Sequence, residues 1–277
     1  MIVHRIFLFS LSFTFFAFLS IAKNSYEREK SAVIQDHTQD SMENRMDIYL
    51  LIGQSNMAGR ADIEAIDADS LDHVYLFNGT TWENAANPLN KYSTVRKDIK
   101  FQKLGPGYSF AKKLALETGK EIGLVVNALG GSSIAQWQKG YSWQNDFDLF
   151  EQILRQVEKM GMKAQIKGII WHQGENDQNN PAIYMDLIKR FVSDLRQELG
   201  GEVAFFAGEI GQWRKISDGI NQVIRNIPQQ IENAYFISSD DLTPINGDLN
   251  DPHFDSRSQR ILGERYADKV LETLYWK

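Results

Sequence analysis

Short apolar runs alternate with segments of helical spacing from residue 46 onward. The first run, Asp47-Ile48-Tyr49-Leu50-Leu51-Ile52, ends at Gly53, and further runs occupy 122–126, 166–171, 203–207 and 234–237. Runs of this length, bounded by turn residues, read as buried strands. Between them, Ile183, Leu187, Phe191, Leu195 and Leu199 recur at steps of four, a spacing that stacks side chains along one helix face. That stretch follows Asn180-Pro181 and stops at Gly200-Gly201, as helix start and stop signals require. A second helix is predicted over 108–116, after Gly105-Pro106-Gly107. A third is predicted over about 256–274, with Asp255 as N-cap. Strand–helix alternation predicts an α/β fold, a three-layer α/β/α sandwich around a mainly parallel five-stranded sheet. Residues 60–104 are less regular and predict long loops or short strands at the sheet edge. In such folds ligands bind beyond the carboxyl ends of the strands, so candidate residues should follow strands directly.

The N-terminus has a different texture. His4 and Arg5 precede an apolar run over 6–22, and Ser20-Ile21-Ala22 places small residues where a signal peptidase cuts. Residues 1–22 therefore read as a secretory signal peptide. An uncleaved anchor is the alternative, because a run of about 17 residues is at the lower limit for crossing a bilayer. Residues 23–45 are polar and charged, and read as a linker or disordered arm. The expectation is an exported chain, periplasmic or secreted, with one domain over 46–277. No stable membrane partner is expected after signal cleavage.

Composition narrows the chemistry. The 277 residues carry a formal net charge of −6 and contain no cysteine. Without a basic stripe, nucleic acid is not an expected partner. An acidic sugar would need local Arg or Lys contacts. Disulfides, thiolate catalysis and Cys-ligated zinc are excluded. The five histidines are scattered, with no His-x-x-x-His pair. No metal and no cofactor are expected.

Four segments could carry chemistry. Ser55 lies two residues beyond the first strand, where a hydroxyl could serve as nucleophile if a base takes its proton; an N-cap serine is the bland alternative. There is no Gly-x-Ser-x-Gly elbow. His253, in Asp251-Pro252-His253, is the histidine best placed to be that base, and Asp251 could orient its ring. An exposed turn is the alternative there. Gln173 and Asn176, in His172-Gln173-Gly174-Glu175-Asn176-Asp177, carry amide donors that an oxyanion hole could use. Gly130-Gly131-Ser132-Ser133 could bring backbone N–H groups close to a ligand. Trp82, Trp137, Trp143 and Trp213 offer flat rings suited to sugar faces, or simply pack in loops and core.

Taken together, Gly53-Gln54-Ser55-Asn56-Met57-Ala58-Gly59-Arg60, Gly130 to Ile134 with Trp137, His172 to Asp177, and His253-Phe254-Asp255 with Gly263 to Ala267 resemble the SGNH hydrolase superfamily. The closer likeness is to its sialate O-acetylesterase and acetyl-xylan esterase branch. The resemblance runs from about Asp47 to Ala267. It implies metal-independent ester hydrolysis, with Ser55 as nucleophile and His253 as base. It also implies an oxyanion hole from the Ser55 and Gly131 backbones and either Gln173 or Asn176. Gln54, Arg60, Trp137 and Glu175 would meet the substrate. One feature departs: the superfamily usually has Asp three residues before the histidine, where this chain has Asn250. Either Asp251 serves, or another group such as a backbone carbonyl holds His253. The implied activity is O-deacetylation of a sugar of the sialic acid or xylan type. A longer-chain acyl esterase and a non-catalytic carbohydrate-binding scaffold are the alternatives.

Overall fold

The central strand of the sheet, β1 (Asp47–Gly53), is buried along its whole length. Its residues serve both faces alternately, as a strand's two-residue period dictates. Ile48, Leu50 and Ile52 join one hydrophobic cluster; Tyr49 and Leu51 join the other. The structure is a computed structural model that describes residues 46–142 and 148–276. The expected signal peptide (1–22), the arm (23–45) and Trp143 lie outside the described residues.

The remaining strands are β2 (Val74–Phe77), β3 (Trp82–Asn84), β4 (Ile122–Ala128), β5 (Ile166–His172), β6 (Ala204–Gly208) and β7 (Ala234–Ile237). They form one sheet in the order β3-β2-β4-β1-β5-β6-β7. Every pairing is parallel except β2 with β3. The five-stranded expectation is corrected to seven. The two additional strands are four and three residues long, too short to display a period in sequence. They are joined by a turn in which the Asn78 side chain accepts from the Thr80 and Thr81 N–H groups.

The helices are α1 (Ser55–Ala58), α2 (Gly107–Thr118), α3 (Leu149–Met160), α4 (Tyr184–Leu199), α5 (Asp218–Arg225), α6 (Ile227–Gln230) and α7 (Ser256–Val270). Helices α3, α4 and α5 cover one face with Phe150, Ile153, Phe191, Leu195, Ile220 and Ile224. Helices α2 and α7 cover the other with Phe110, Leu114, Leu262 and Tyr266. The three-layer sandwich is therefore as the alternation predicted. Complete burial of a side chain such as Phe191 contributes roughly 1.5–3 kcal/mol. The step-of-four series in α4 drifts off the buried face, because a helix turns every 3.6 residues. The buried stripe runs instead through Tyr184, Ile188, Phe191, Val192, Leu195 and Leu199. Asp255 caps α7 by accepting from the Ser258 N–H at 2.7 Å. Among the described residues no helix is long and apolar enough to cross a membrane.

The chain runs from β1 to β2 and β4 on one side, then to β5, β6 and β7 on the other. The carboxyl end of β1 is thus the switch point of the sheet, the place where such folds leave a crevice.

Candidate active site

Ser55 stands at that switch point. β1 ends on Gly53, whose φ of +141° and approach to the His172 carbonyl leave no room for a side chain; a Cβ would lie 2.2 Å from that oxygen. The chain turns there and α1 starts at Ser55. As the first residue of a helix, Ser55 has an N–H without an intrahelical acceptor, so this donor is free to face the cleft. Gly53, Gln54 and Ser55 are all buried, with Ser55 at the floor of a cleft of about 470 Å³.

His253 reaches the same floor from the loop before α7. Its Nε2 lies 3.0 Å from Ser55 Oγ. Its Nδ1 lies 2.7 Å from Asp251 Oδ1, which also accepts from the His253 backbone N–H at 2.9 Å. With Nδ1–H directed at a carboxylate, Nε2 is left as the acceptor for the serine hydroxyl. The loop is anchored by Phe254, which is fully buried and packs edge-on against Trp213 with centroids 5.1 Å apart. Trp213 in turn donates its indole N–H to the Asp251 carbonyl at 2.9 Å. Burial lowers the His253 pKa; Asp251 opposes that shift, and the Arg60 and Arg214 charges add to it. Asn250, at the position the superfamily gives to aspartate, bonds instead to Asp248 through its side chain at 3.1 Å.

The two candidate amide donors occupy different environments. Gln173 is wholly buried, and its Nε2 is within reach of Gln54 Oε1, the Ser132 carbonyl and Asp177 Oδ2 at 3.0, 3.0 and 2.5 Å. An amide has two N–H groups, so those of Gln173 are already committed. Gln173 works as a strut joining three loops. Asn176 lies exposed on the cleft wall beside Gly131, whose carbonyl accepts from Asn176 Nδ2 at 3.1 Å. Gly131 holds a φ of +79°, which the turn after β4 requires.

Among the residues expected at the substrate, Gln54, Arg60 and Glu175 line the cleft. Trp137 does not, and that expectation is corrected. Its ring is fully enclosed in the core against Trp171 and Phe191, and its N–H donates to Ser132 Oγ at 2.9 Å. It braces the Gly130–Ser132 turn from behind. Trp82 is at the β3 edge and Trp213 backs the His253 loop.

Glu175 is almost completely buried. Burial pushes its pKa up to about 7, against the hydrogen bond from Asn56 Nδ2 at 2.5 Å. The nearby His172 imidazole is held neutral, since burial lowers its pKa to about 3. Two charged cleft residues were not legible as site residues in the sequence: Lys97 and Arg214. Lys97 Nζ lies 3.6 Å from the point where a Gly131 Cβ would stand. The Arg214 charge is felt by both Glu175 and His253. With Arg60, they give the cleft three cations, none of which is ion-paired among the described residues. Both come from irregular loops, and no local motif marks them.

The fold matches solved structures. It aligns with a crystal structure of the Arabidopsis thaliana protein AT4G34215 with a TM-score of 0.71 and 23% identity, over 83% of this chain and 99% of that one. It also aligns with a carbohydrate acetylesterase from Xanthomonas citri with a TM-score of 0.63 and 19% identity, over 83% of this chain and 57% of that one. These likenesses show a shared fold. The chain belongs to the carbohydrate esterase, sialic acid-specific acetylesterase family, which matches residues 45–272. In sequence it is 32% identical over 181 residues to the Arabidopsis thaliana protein named "Probable carbohydrate esterase At4g34215". That match spans 55% of this chain and 64% of the relative's length.

Proposed function

We propose that this chain is an exported carbohydrate O-acetylesterase that works by serine acyl transfer. The observation that carries the reading is the line Asp251–His253–Ser55, with contacts of 2.7 and 3.0 Å, opening into a cleft at the sheet's switch point. Ser55 Oγ attacks the acetyl carbonyl as His253 Nε2 takes its proton. Asp251 stabilises the imidazolium that forms. The tetrahedral oxyanion is held by the Ser55 and Gly131 N–H groups and by Asn176 Nδ2, with Gln173 left to its structural bonds. His253 then protonates the departing sugar hydroxyl. Water, deprotonated by His253, releases acetate from Ser55. The N-terminal apolar run over 6–22 supports export.

The cleft also supports a choice of sugar. Arg60, Lys97 and Arg214 suit a substrate that bears a carboxylate, such as a sialic acid, which the family description names. A neutral xylan would leave these charges unused. The side chains lining the cleft are polar or charged apart from Phe101 and Pro252. The test is acetate release from O-acetylated sialosides, acetylated xylan and a generic aryl acetate. Wild type should turn over the sialosides with the highest kcat/KM. Ser55→Ala should abolish turnover; full activity in that variant would remove the nucleophile assignment.

A further inference from the structure

The nucleophile and its base come from segments 198 residues apart in the chain, yet their reacting atoms must stay in register to a fraction of an ångström. Several contacts hold the His253 loop against its own neighbours: Ile245 N–H donates to the His253 carbonyl at 2.9 Å, and Trp213 holds the Asp251 carbonyl. Neither ties the loop to Ser55. Asn56 does. It is the residue after the nucleophile and is fully buried. Its Nδ2 donates to the Pro252 carbonyl at 3.0 Å, and its Oδ1 accepts from the Phe254 N–H at 3.2 Å. The two backbone groups flanking His253 are therefore both held by one side chain that sits next to Ser55. The other N–H of Nδ2 goes to Glu175 Oε1, and the other lone pair of Oδ1 takes Gln259 Nε2 at 3.1 Å. The primary amide thus uses its full capacity of two donations and two acceptances. The carbonyl and carboxylate on one side and the two N–H donors on the other fix which way round the amide stands.

We propose that Asn56 is the positioning residue that sets His253 against Ser55, with Glu175 and Gln259 locking its amide in place. The proposal rests on the Ser55–His253 reading above and adds to it a residue that touches neither substrate nor reacting atoms. Aspartate cannot replace it, since a carboxylate would face the Pro252 carbonyl and Glu175 without a proton to donate. Alanine would release both flanks of His253.

The experiment compares wild type, Ser55→Ala, Asn56→Ala and Asn56→Asp on an aryl acetate. Competent sites are counted with a fluorophosphonate that labels the reactive serine, and folding is followed by thermal unfolding. Per titrated site, kcat should fall roughly 10²-fold in Asn56→Ala, the scale of a small misplacement of reacting groups, with KM within about twofold. The rate of phosphonylation should fall in parallel, because it too needs the His253–Ser55 register. A merely structural role would lower the unfolding temperature and the number of titrated sites while leaving kcat per site intact. A kcat per site within about threefold of wild type in Asn56→Ala overturns the proposal. If that variant does not fold, the isosteric Asn56→Asp is judged by the same criterion. Activity persisting in Ser55→Ala would instead remove the underlying reading, so the two failures are distinct.

Discussion

Replacing Asp251 with asparagine isolates the charge of the proposed orienting residue from its geometry. Asp251 Oδ1 accepts from both N–H groups of His253, the ring Nδ1–H at 2.7 Å and the backbone N–H at 2.9 Å. An asparagine Oδ1 can accept both, so the loop should keep its shape while the negative charge is lost. Opposite unit charges about 4 Å apart attract by ~4 kcal/mol at an effective dielectric of about 20. The two side chains are 24% and 32% exposed, so solvent screening reduces that to roughly 2–3 kcal/mol. Each ~1.4 kcal/mol on the barrier is tenfold in rate, so kcat should fall ~30- to 150-fold with KM little changed. A mis-set imidazole tautomer would deepen the loss toward the ~10⁴ seen when a buried triad aspartate is replaced. The pH profile provides a second reading. Asp251 raises the His253 pKa against the effect of burial. Its removal should therefore move the acid limb of kcat/KM to lower pH. Asn250→Ala is the paired control, expected within about twofold of wild type because its side chain bonds to Asp248. A loss of less than about fivefold in Asp251→Asn, with the acid limb unmoved, would refute the assignment.

Asn176→Ala should lower kcat by ~10²–10³, the cost of one oxyanion donor, whereas Gln173→Ala should act mainly by lowering the unfolding temperature. Arg214→Ala and Lys97→Ala should raise KM for an O-acetylated sialoside but not for an uncharged aryl acetate, and added salt should narrow the wild-type difference; equal effects on both substrates would count against a carboxylate contact. Glu175 gives a stability prediction. Its folded pKa of about 7 lies above the ordinary 4.5. Its contribution is therefore fully present below pH 4.5 and is lost as pH rises through about 7, by on the order of 3 kcal/mol. Chemical denaturation from pH 4.5 to 8 should show this decline in wild type and a flatter profile in Glu175→Gln.

How much of this was legible in the sequence depends on how local the signal is. The central strands β1, β4, β5 and β6 are continuous apolar runs because helices cover both sheet faces, so they stand out without any alternation. β3 is the edge strand and β2 lies beside it, both only a few residues long, and only pairing (Phe77 opposite Trp82, Val74 opposite Ile122) makes them strands. Ser55, Gly131 and Asn176 were reachable from one topological rule, that chemistry follows strand ends. The same rule could not separate Gln173 from Asn176. Gln173 directly follows β5 and its side chain turns inward to Gln54 and Tyr184, while Asn176 is in the turn beyond and faces the cleft. Trp137 was misjudged because ring shape is visible in sequence and burial is not. Lys97 and Arg214 depend wholly on tertiary placement.

The charge distribution joins these residues into one device. The chain carries −6 overall, so an anionic substrate meets no general attraction. Behind Ser55 burial holds His172 neutral, its pKa falling to about 3, and leaves Glu175 only part-ionised near neutral pH, its pKa rising to about 7. The charges that act on the cleft are then its three cations, the part-ionised Glu175 and, behind His253, Asp251. The cations would draw in a carboxylate and favour the oxyanion, but two of them, Arg60 and Arg214, also push the His253 pKa down, which weakens the base. Asp251 offsets that loss at the ring nitrogen facing away from Ser55. A cationic cleft of this kind therefore needs a charged orienting residue more than a neutral cleft would. It follows that Asp251→Asn should be less damaging in a background lacking Arg214 than in wild type. A double-mutant cycle measures that coupling directly, and strict additivity would show that the two charges do not act on His253 together.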